Sequence, residues 1–316
     1  MCAETRRQGP AVVGRPNAAG NAGVESQPNS LSAGKSDNGS AMDFSPQWHA
    51  LGSEAELAGT QLALGVTALG RANHARRGDY ALAFFSLAIG LERLGKLIAI
   101  GDHAMSTGGT FPDNKFLKDI SHDLEKLLDH CEVVSAARRS SANYAKRPND
   151  EVHQRIIQTL SEFATMTRYY NLDLLAGGKA AKLAEPIGAW WTRVAEPILA
   201  EHYTSRQRQK DDAAAEALTE MLSGYATVLH HTEGGQPMKD IGGLVRRAGA
   251  NRVVQKYGQL LVLQIVRWLS YAIFDIAHDA AYRMGIEPFL GVEEPFAVFL
   301  NDDRYFRGRR TWSIYP

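Results

Sequence analysis

Apolar residues recur at steps of three and four along most of this chain, which is the period of an α-helix packed on one face. The period begins near Ser53, where Ser53 and Glu56 have the spacing of a capping box, and it predicts a first helix running to about Asn73. A turn at residues 76–79 follows, and a second helix is predicted over about residues 80–103. The first two elements are therefore expected to be helices joined by a short turn.

Two further helices are predicted before residue 178. The fourth is capped by Asn149 or Asp150 and ends near Gly177. Four helices of about 20 residues with short loops form an up-down bundle around one core, so residues 44–178 are predicted to be such a bundle. The third helix carries an apolar stripe formed by Phe116, Ile120, Leu124, Leu127, Cys131 and Val134.

The C-terminal half continues with helical patterns. Residues 296–300 are the exception, because they are predicted to be a short strand or an extended strip. The fold class is therefore all-α, with the up-down bundle followed by a second helical unit, residues 179–316, that ends in an extended tail. The helices of the second unit are predicted at about 186–203, 207–231, 242–250 and 251–284.

Residues 1–43 differ from the rest of the chain in composition. They are rich in Gly, Ser, Asn, Ala and Pro, and they have no apolar period. Such a segment buries too little apolar area to offset the entropy of ordering, so it is predicted to be a disordered tail. Met42 stands at the end of this tail and is an alternative start codon.

Composition and charge restrict the cellular compartments and the kinds of partner that are expected. The chain has 316 residues with 35 basic and 35 acidic side chains, so any site for a polyanion has to be local. The most apolar stretch, residues 260–277, contains Gln264, Arg267 and Asp275, which a membrane span would have to bury at several kcal/mol apiece. Two cysteines and the absence of a signal-peptide pattern favour the cytoplasm, without contact to a membrane. No cofactor and no metal is expected, because no nucleotide-loop or metal-ligand motif is present.

Two stretches resemble a known family. Residues 88–98, with Glu92 and Lys96 four apart, and residues 121–128, with the His-Asp-Leu element at His122, are similar to the HEPN superfamily of small bacterial helical bundles. The resemblance covers about residues 54–176. It implies a HEPN-like bundle in which Glu92 and Lys96 support the interior.

The resemblance also implies a function. Many HEPN domains are metal-independent ribonucleases of toxin or antiviral defence systems, with an Arg, four to six residues and a His near the head of the last bundle helix. Arg147 and His153 fit this motif and are the implied catalytic pair. A His moves protons near neutral pH and an Arg stabilises a phosphorane-like transition state, so the residue types suit RNA cleavage without metal. The implied assembly is a homodimer, and the implied partners are RNA and an antitoxin or other protein.

Other interpretations of the same residues stay open. Arg147 can be a structural arginine and His153 a hydrogen-bonded histidine at a helix start, and the bundle is then a non-catalytic interaction or dimerisation module. Arg138, Arg139 and Lys146 lie near Arg147 in a basic stretch that either holds an RNA backbone or is a solvated loop. Basic and aromatic residues alternate over 304–312, and this tail either stacks bases or docks on the helical body.

Overall fold

The computed structural model describes residues 43–120, 123–138, 146–222 and 225–315. Within these ranges the predicted all-α class is confirmed: no β-strand is present, and the bridge between His231 and Pro237 is isolated. The α-helices are α1 (Pro46–Leu69), α2 (Arg77–Ser106), α3 (Asn114–Asp119), α4 (Leu124–Arg138), α5 (Glu151–Glu162), α6 (Tyr170–Ala176), α7 (Pro186–Trp190), α8 (Glu196–His202), α9 (Ser205–Leu222), α10 (Ile241–His278) and α11 (Asp303–Gly308). Further helical segments are π-helical at Phe163–Thr167, Trp191–Ala195 and Asp279–Arg283, and 3-10 at Lys179–Lys182, Glu287–Phe289 and Glu294–Leu300. The predicted tail, residues 1–43, lies outside the described residues except for Asp43.

Helix α1 begins at Pro46, earlier than the predicted capping box at Ser53. Ser45 is the N-cap, because its hydroxyl accepts a hydrogen bond from the Trp48 backbone N–H at 3.2 Å. The Ser45 hydroxyl in turn donates to Glu287 at 2.6 Å. The start of α1 is thus set by a local cap that an apolar period does not register, and the same Ser45 hydroxyl bonds a residue more than 200 positions away.

The predicted third helix is divided into α3 and α4. The break follows Asp119, and α4 begins at Leu124 after Asp123, whose carboxylate accepts from the Glu125 backbone N–H at 3.0 Å. An aspartate that binds a backbone N–H two residues ahead ends a continuous helix and starts a new one. The apolar stripe nevertheless faces the core from Leu124 onward, where its members are buried.

The predicted cap and end of the fourth helix are confirmed. The Asp150 carboxylate accepts from the backbone N–H groups of Val152 at 3.1 Å and His153 at 3.0 Å. Gly177 ends α6 with φ 70°, a left-handed conformation that favours glycine. Between them the helix is interrupted by the π-helical segment Phe163–Thr167.

The C-terminal half differs from its prediction at three places. Residues 242–250 and 251–284 were predicted as separate elements, but α10 runs without interruption from Ile241 to His278, and α9 ends at Leu222 rather than near residue 231. Residues 296–300 are a 3-10 helix, not a strand. Phe296 and Phe299 are three apart and both fully buried, and a 3-10 turn places such residues on one side.

One core joins the whole described body. Residues Phe44–Pro316 form one compact unit, in which α10 packs against α1, α2, α4 and α5. The approach of α10 to α2 is close: a Cβ at Gly101 would lie 2.3 Å from the side chain of Ile276. The chain on both sides of residue 178 therefore shares the same core. Its largest fully buried side chains include Tyr80, Phe84, Trp190, Trp268 and Phe289.

One helical stretch, Ile241–Arg283, is long and apolar enough to cross a membrane by length and composition alone. In its most apolar window, 72% is buried inside the protein. That is the environment of a central core helix.

Candidate functional site

Arg147 lies close to α10 and is neutralised by two carboxylates of α4. Its Nη1 is 2.5 Å from Asp129 Oδ1 and 3.2 Å from Glu132 Oε2. The guanidinium also lies 5.8 Å from the ring centroid of Trp268, and only 10% of the side chain is exposed. The positive charge of Arg147 is thus already matched within the protein.

His153 is buried, and both of its ring nitrogens have partners. Nδ1 is 2.7 Å from Asp150 Oδ2, and Nε2 is 2.9 Å from Gln264 Oε1 on α10. The amide nitrogen of Gln264 donates to Asp303 at 2.9 Å, which orients the amide oxygen toward the histidine. Both ring nitrogens of His153 are therefore engaged by oxygen atoms of the protein itself.

The structure brings the predicted pair to one face of α10, because Gln264 and Trp268 are one turn apart on that helix. The network continues through Asp303, which is 2.9 Å from Nη1 of the buried Arg267. These contacts tie α5, α10 and α11 together. His153 is 3% exposed and both of its ring nitrogens are hydrogen-bonded, so this side chain connects α5 to α10. It has no free ring nitrogen that could accept a proton from a substrate hydroxyl.

The other predicted residues are dispersed. Arg138 bonds Asp102 of α2 through Nε at 3.0 Å, so its charge is paired too. Lys146 is exposed, and Arg139 lies outside the described residues. Glu92 and Lys96 form the expected pair at 2.6 Å on α2.

Asp150 gives this network a pH dependence. Burial raises the pKa of Asp150, but hydrogen bonds from His153 and Val152 and the charge of His153 outweigh burial and lower the pKa below its ordinary value of 3.8. A lowered pKa stabilises the fold above the unfolded-state value, and the gain is lost as pH falls through the folded-state value. We expect Asp150→Asn, which keeps the cap, to reduce the free energy of unfolding more at about pH 5 than at about pH 3, because the contribution of the carboxylate decreases as pH falls below the unfolded-state pKa. Urea unfolding at both pH values checks this, and an equal loss at both would contradict it.

A basic cleft of about 540 Å³ lies between α9, α10 and the C-terminal residues. Its lining has one carboxylate, that of Asp211, which accepts from the Tyr203 hydroxyl at 2.8 Å and from Arg252 at 2.5 Å. Burial and the hydrogen bond to Asp211 raise the pKa of Tyr203 to about 12, so this phenol stays protonated. The cations that line the basic cleft are Lys210, Arg252, Lys256, Arg307, Arg309 and Arg310.

The cations of the basic cleft outnumber its carboxylates in a chain whose net charge is zero. Lys210, Lys256 and Arg310 are exposed, and in the part of the chain that the structure describes none of the three has a carboxylate within ion-pair distance. Their charges are therefore available to a ligand. The cleft is possible because Gly249 lets α9 approach α10: a Cβ there would lie 2.2 Å from the Asp211 carboxylate.

The C-terminal residues dock on the body and present their arginines to the basic cleft. Trp312 is buried, and its backbone N–H donates to the Thr67 hydroxyl at 2.8 Å. Phe306 is buried as well, whereas Tyr305 keeps 38% of its surface exposed. The docking interpretation of the 304–312 pattern is thus confirmed for Phe306 and Trp312, whereas base stacking stays a prediction.

No family model, curated protein or solved structure matches this chain. The resemblance to HEPN domains therefore stays a prediction, and the site has to be judged on its own geometry. That geometry favours the basic cleft as the candidate site. The sequence did not predict that these cations would lie together in one cleft. The alternation over residues 304–312 was the one signal that pointed to it.

Proposed function

We propose that this protein is a non-catalytic binding protein for single-stranded RNA, and that the basic cleft holds the RNA backbone. The observation that carries the proposal is the excess of six cations over one internally paired carboxylate in a single cleft. Positive charge concentrated in one cleft of a chain with no net charge favours binding of a polyanion in that cleft.

The residue types also suit RNA. Arginine side chains bind phosphate oxygens through two parallel hydrogen bonds, and lysine side chains add positive charges along the RNA backbone. Tyr257 at the cleft wall offers a ring surface to bases, and the partly exposed Tyr305 lies with its ring centroid 5.6 Å from the guanidinium of Arg309, one of the cleft cations. The proposal needs no chemistry at Arg147 and His153. The predicted cytoplasmic location, homodimer and antitoxin partner remain predictions.

The test is fluorescence anisotropy with a labelled single-stranded RNA of about 12 nucleotides. Removing the three cations without carboxylate partners, with Lys210→Gln, Lys256→Gln and Arg310→Gln together, is expected to weaken binding by about tenfold or more. The slope of log affinity against log salt should become shallower by about 2, since each lost phosphate contact removes about 0.7 released counterions.

A matched variant removes three exposed cations away from the cleft, with Lys115→Gln, Lys126→Gln and Arg283→Gln. It lowers the net charge by the same amount, so it is expected to keep the affinity within about twofold. Equal weakening by the two triple variants would attribute binding to overall charge and contradict the proposal. Absence of RNA binding by the parent protein at low salt would contradict it as well.

A further inference from the structure

A second polar cluster lies away from the basic cleft, around Glu233 in the segment between α9 and α10. The Glu233 side chain has no exposed surface, and its Oε2 accepts from Nε of Arg247 at 2.5 Å. The Arg247 guanidinium lies 3.3 Å from the ring centroid of Trp191. A carboxylate carried by a connecting segment is thus enclosed in the protein with one arginine as its charged partner.

Among the residues that the structure describes, three buried polar atoms of this cluster have no hydrogen-bond partner. They are Glu233 Oε1, the Tyr80 hydroxyl and Asn251 Oδ1, on side chains that are 0%, 1% and 3% exposed. An unsatisfied buried group costs about 1–3 kcal/mol. Burial and the nearby Glu233 charge raise the pKa of Tyr80, so the phenol keeps its proton as an unused donor. If the pair of Glu233 and Arg247 were only structural, these unsatisfied groups would lower the stability of the fold without a compensating interaction.

A second arginine holds the backbone that carries Glu233. Arg77 Nη1 donates to the carbonyl oxygens of Thr232 and Glu233, at 3.2 Å each, and its Nη2 is 3.2 Å from Glu185 Oε1. Arg247 thus bonds the Glu233 carboxylate and Arg77 the Glu233 backbone, and Tyr80 lies one turn from Arg77 on α2. The site contains more donors than Glu233 uses.

The backbone around Glu233, residues 230–238, doubles back on itself, and this segment is called the tip below. Met238 donates to the carbonyl of His230 at 2.9 Å, and the turn between them passes through Gly235 with φ 80°. On the outer side of this tip lies a cavity of about 480 Å³, whose lining includes Arg77, Arg193, Gly234 and Gly235. The tip thus lies between the Arg247 cluster and an open cavity lined by Glu185 and by two arginines that are themselves ion-paired, Arg77 and Arg193.

We propose that Arg247 and Tyr80 form a binding site for a small oxyanion, a carboxylate or a phosphate monoester, and that Glu233 occupies it as an internal substitute. An incoming oxyanion replaces the Glu233 carboxylate as the partner of Arg247. A second oxygen of the oxyanion accepts a hydrogen bond from the Tyr80 hydroxyl. Displacement of the tip joins the site to the cavity beside it. This site is distinct from the basic cleft and does not rest on the RNA proposal.

The test removes the internal carboxylate with Glu233→Ala and measures binding of inorganic phosphate and of acetate by calorimetry. The variant is expected to bind one of the two anions about tenfold or more tightly than the parent, because Arg247 no longer has an internal partner. The anion that gains affinity identifies the ligand class. Arg247→Met added to Glu233→Ala is expected to abolish the gain, and Tyr80→Phe to reduce it.

Asp212→Ala is the matched control, since it frees Arg246 on the same helix from an exposed ion pair. This variant is expected to gain no affinity for either anion. A folded Glu233→Ala variant that binds neither anion more tightly than the parent would show that the pair is only structural. If Glu233→Ala does not fold, Glu233→Gln removes the charge while keeping the shape, and the absence of a gain in that variant would overturn the proposal.

Discussion

A fragment of residues 44–178 is expected to remain unfolded, although it contains the whole predicted bundle. Helix α10 fills the space between α1, α2, α4 and α5, and its side chains from Leu263 to Leu269 are almost all buried. Each large apolar side chain stabilises a fold by about 1.5–3 kcal/mol when buried, and a domain has a net stability of only about 5–15 kcal/mol. Loss of Trp268 and its neighbours therefore exceeds the stability that the fragment could retain.

The measurement is circular dichroism and urea unfolding of the fragment beside a chain of residues 44–316. The longer chain should unfold in one cooperative transition, since one core joins α1, α2, α4 and α5 to α10. The fragment should show weak helicity and a transition without cooperativity. A cooperative transition of the isolated fragment would instead show that the bundle predicted from the sequence is an independent domain.

The fold could be predicted from the sequence wherever the determinant is local. The apolar period predicted α2. The helix cap at Asp150 and the left-handed conformation of Gly177 each depend on a few adjacent residues. The prediction failed where the apolar period carries no signal or the determinant is distant. Ser45 caps α1 before the apolar period begins, and Gly249 lies inside α10 opposite Asp211 of α9, a contact that the local sequence does not reveal.

The candidate sites were harder to predict for the same reason. The basic cleft combines Lys210, Lys256 and Arg310, which are separated by tens of residues in a chain with no net charge. The structural interpretation of His153, as a hydrogen-bonded histidine at a helix start, agrees with its buried side chain. It could not indicate that Gln264, more than 100 residues away, would occupy the second ring nitrogen.

His153→Ala is expected to lower the free energy of unfolding by about 2–4 kcal/mol, because it leaves the buried contacts to Asp150 and Gln264 without their shared partner. The melting temperature should fall by about 5 °C or more. RNA affinity at the basic cleft should not change. The control His130→Ala removes an exposed histidine of α4 and should stay within about 0.5 kcal/mol of the parent.

The same variant decides between the structural and the catalytic interpretation of the Arg147 and His153 spacing. Parent protein and variant are incubated with a structured RNA in EDTA, and the products are assayed for 2′,3′-cyclic phosphate ends. A ribonuclease would lose cleavage in the variant while its melting temperature stayed near that of the parent. We expect the opposite combination, a loss of stability with no cleavage by either protein, because a histidine bonded at both nitrogens inside the core has no proton acceptor left to offer RNA.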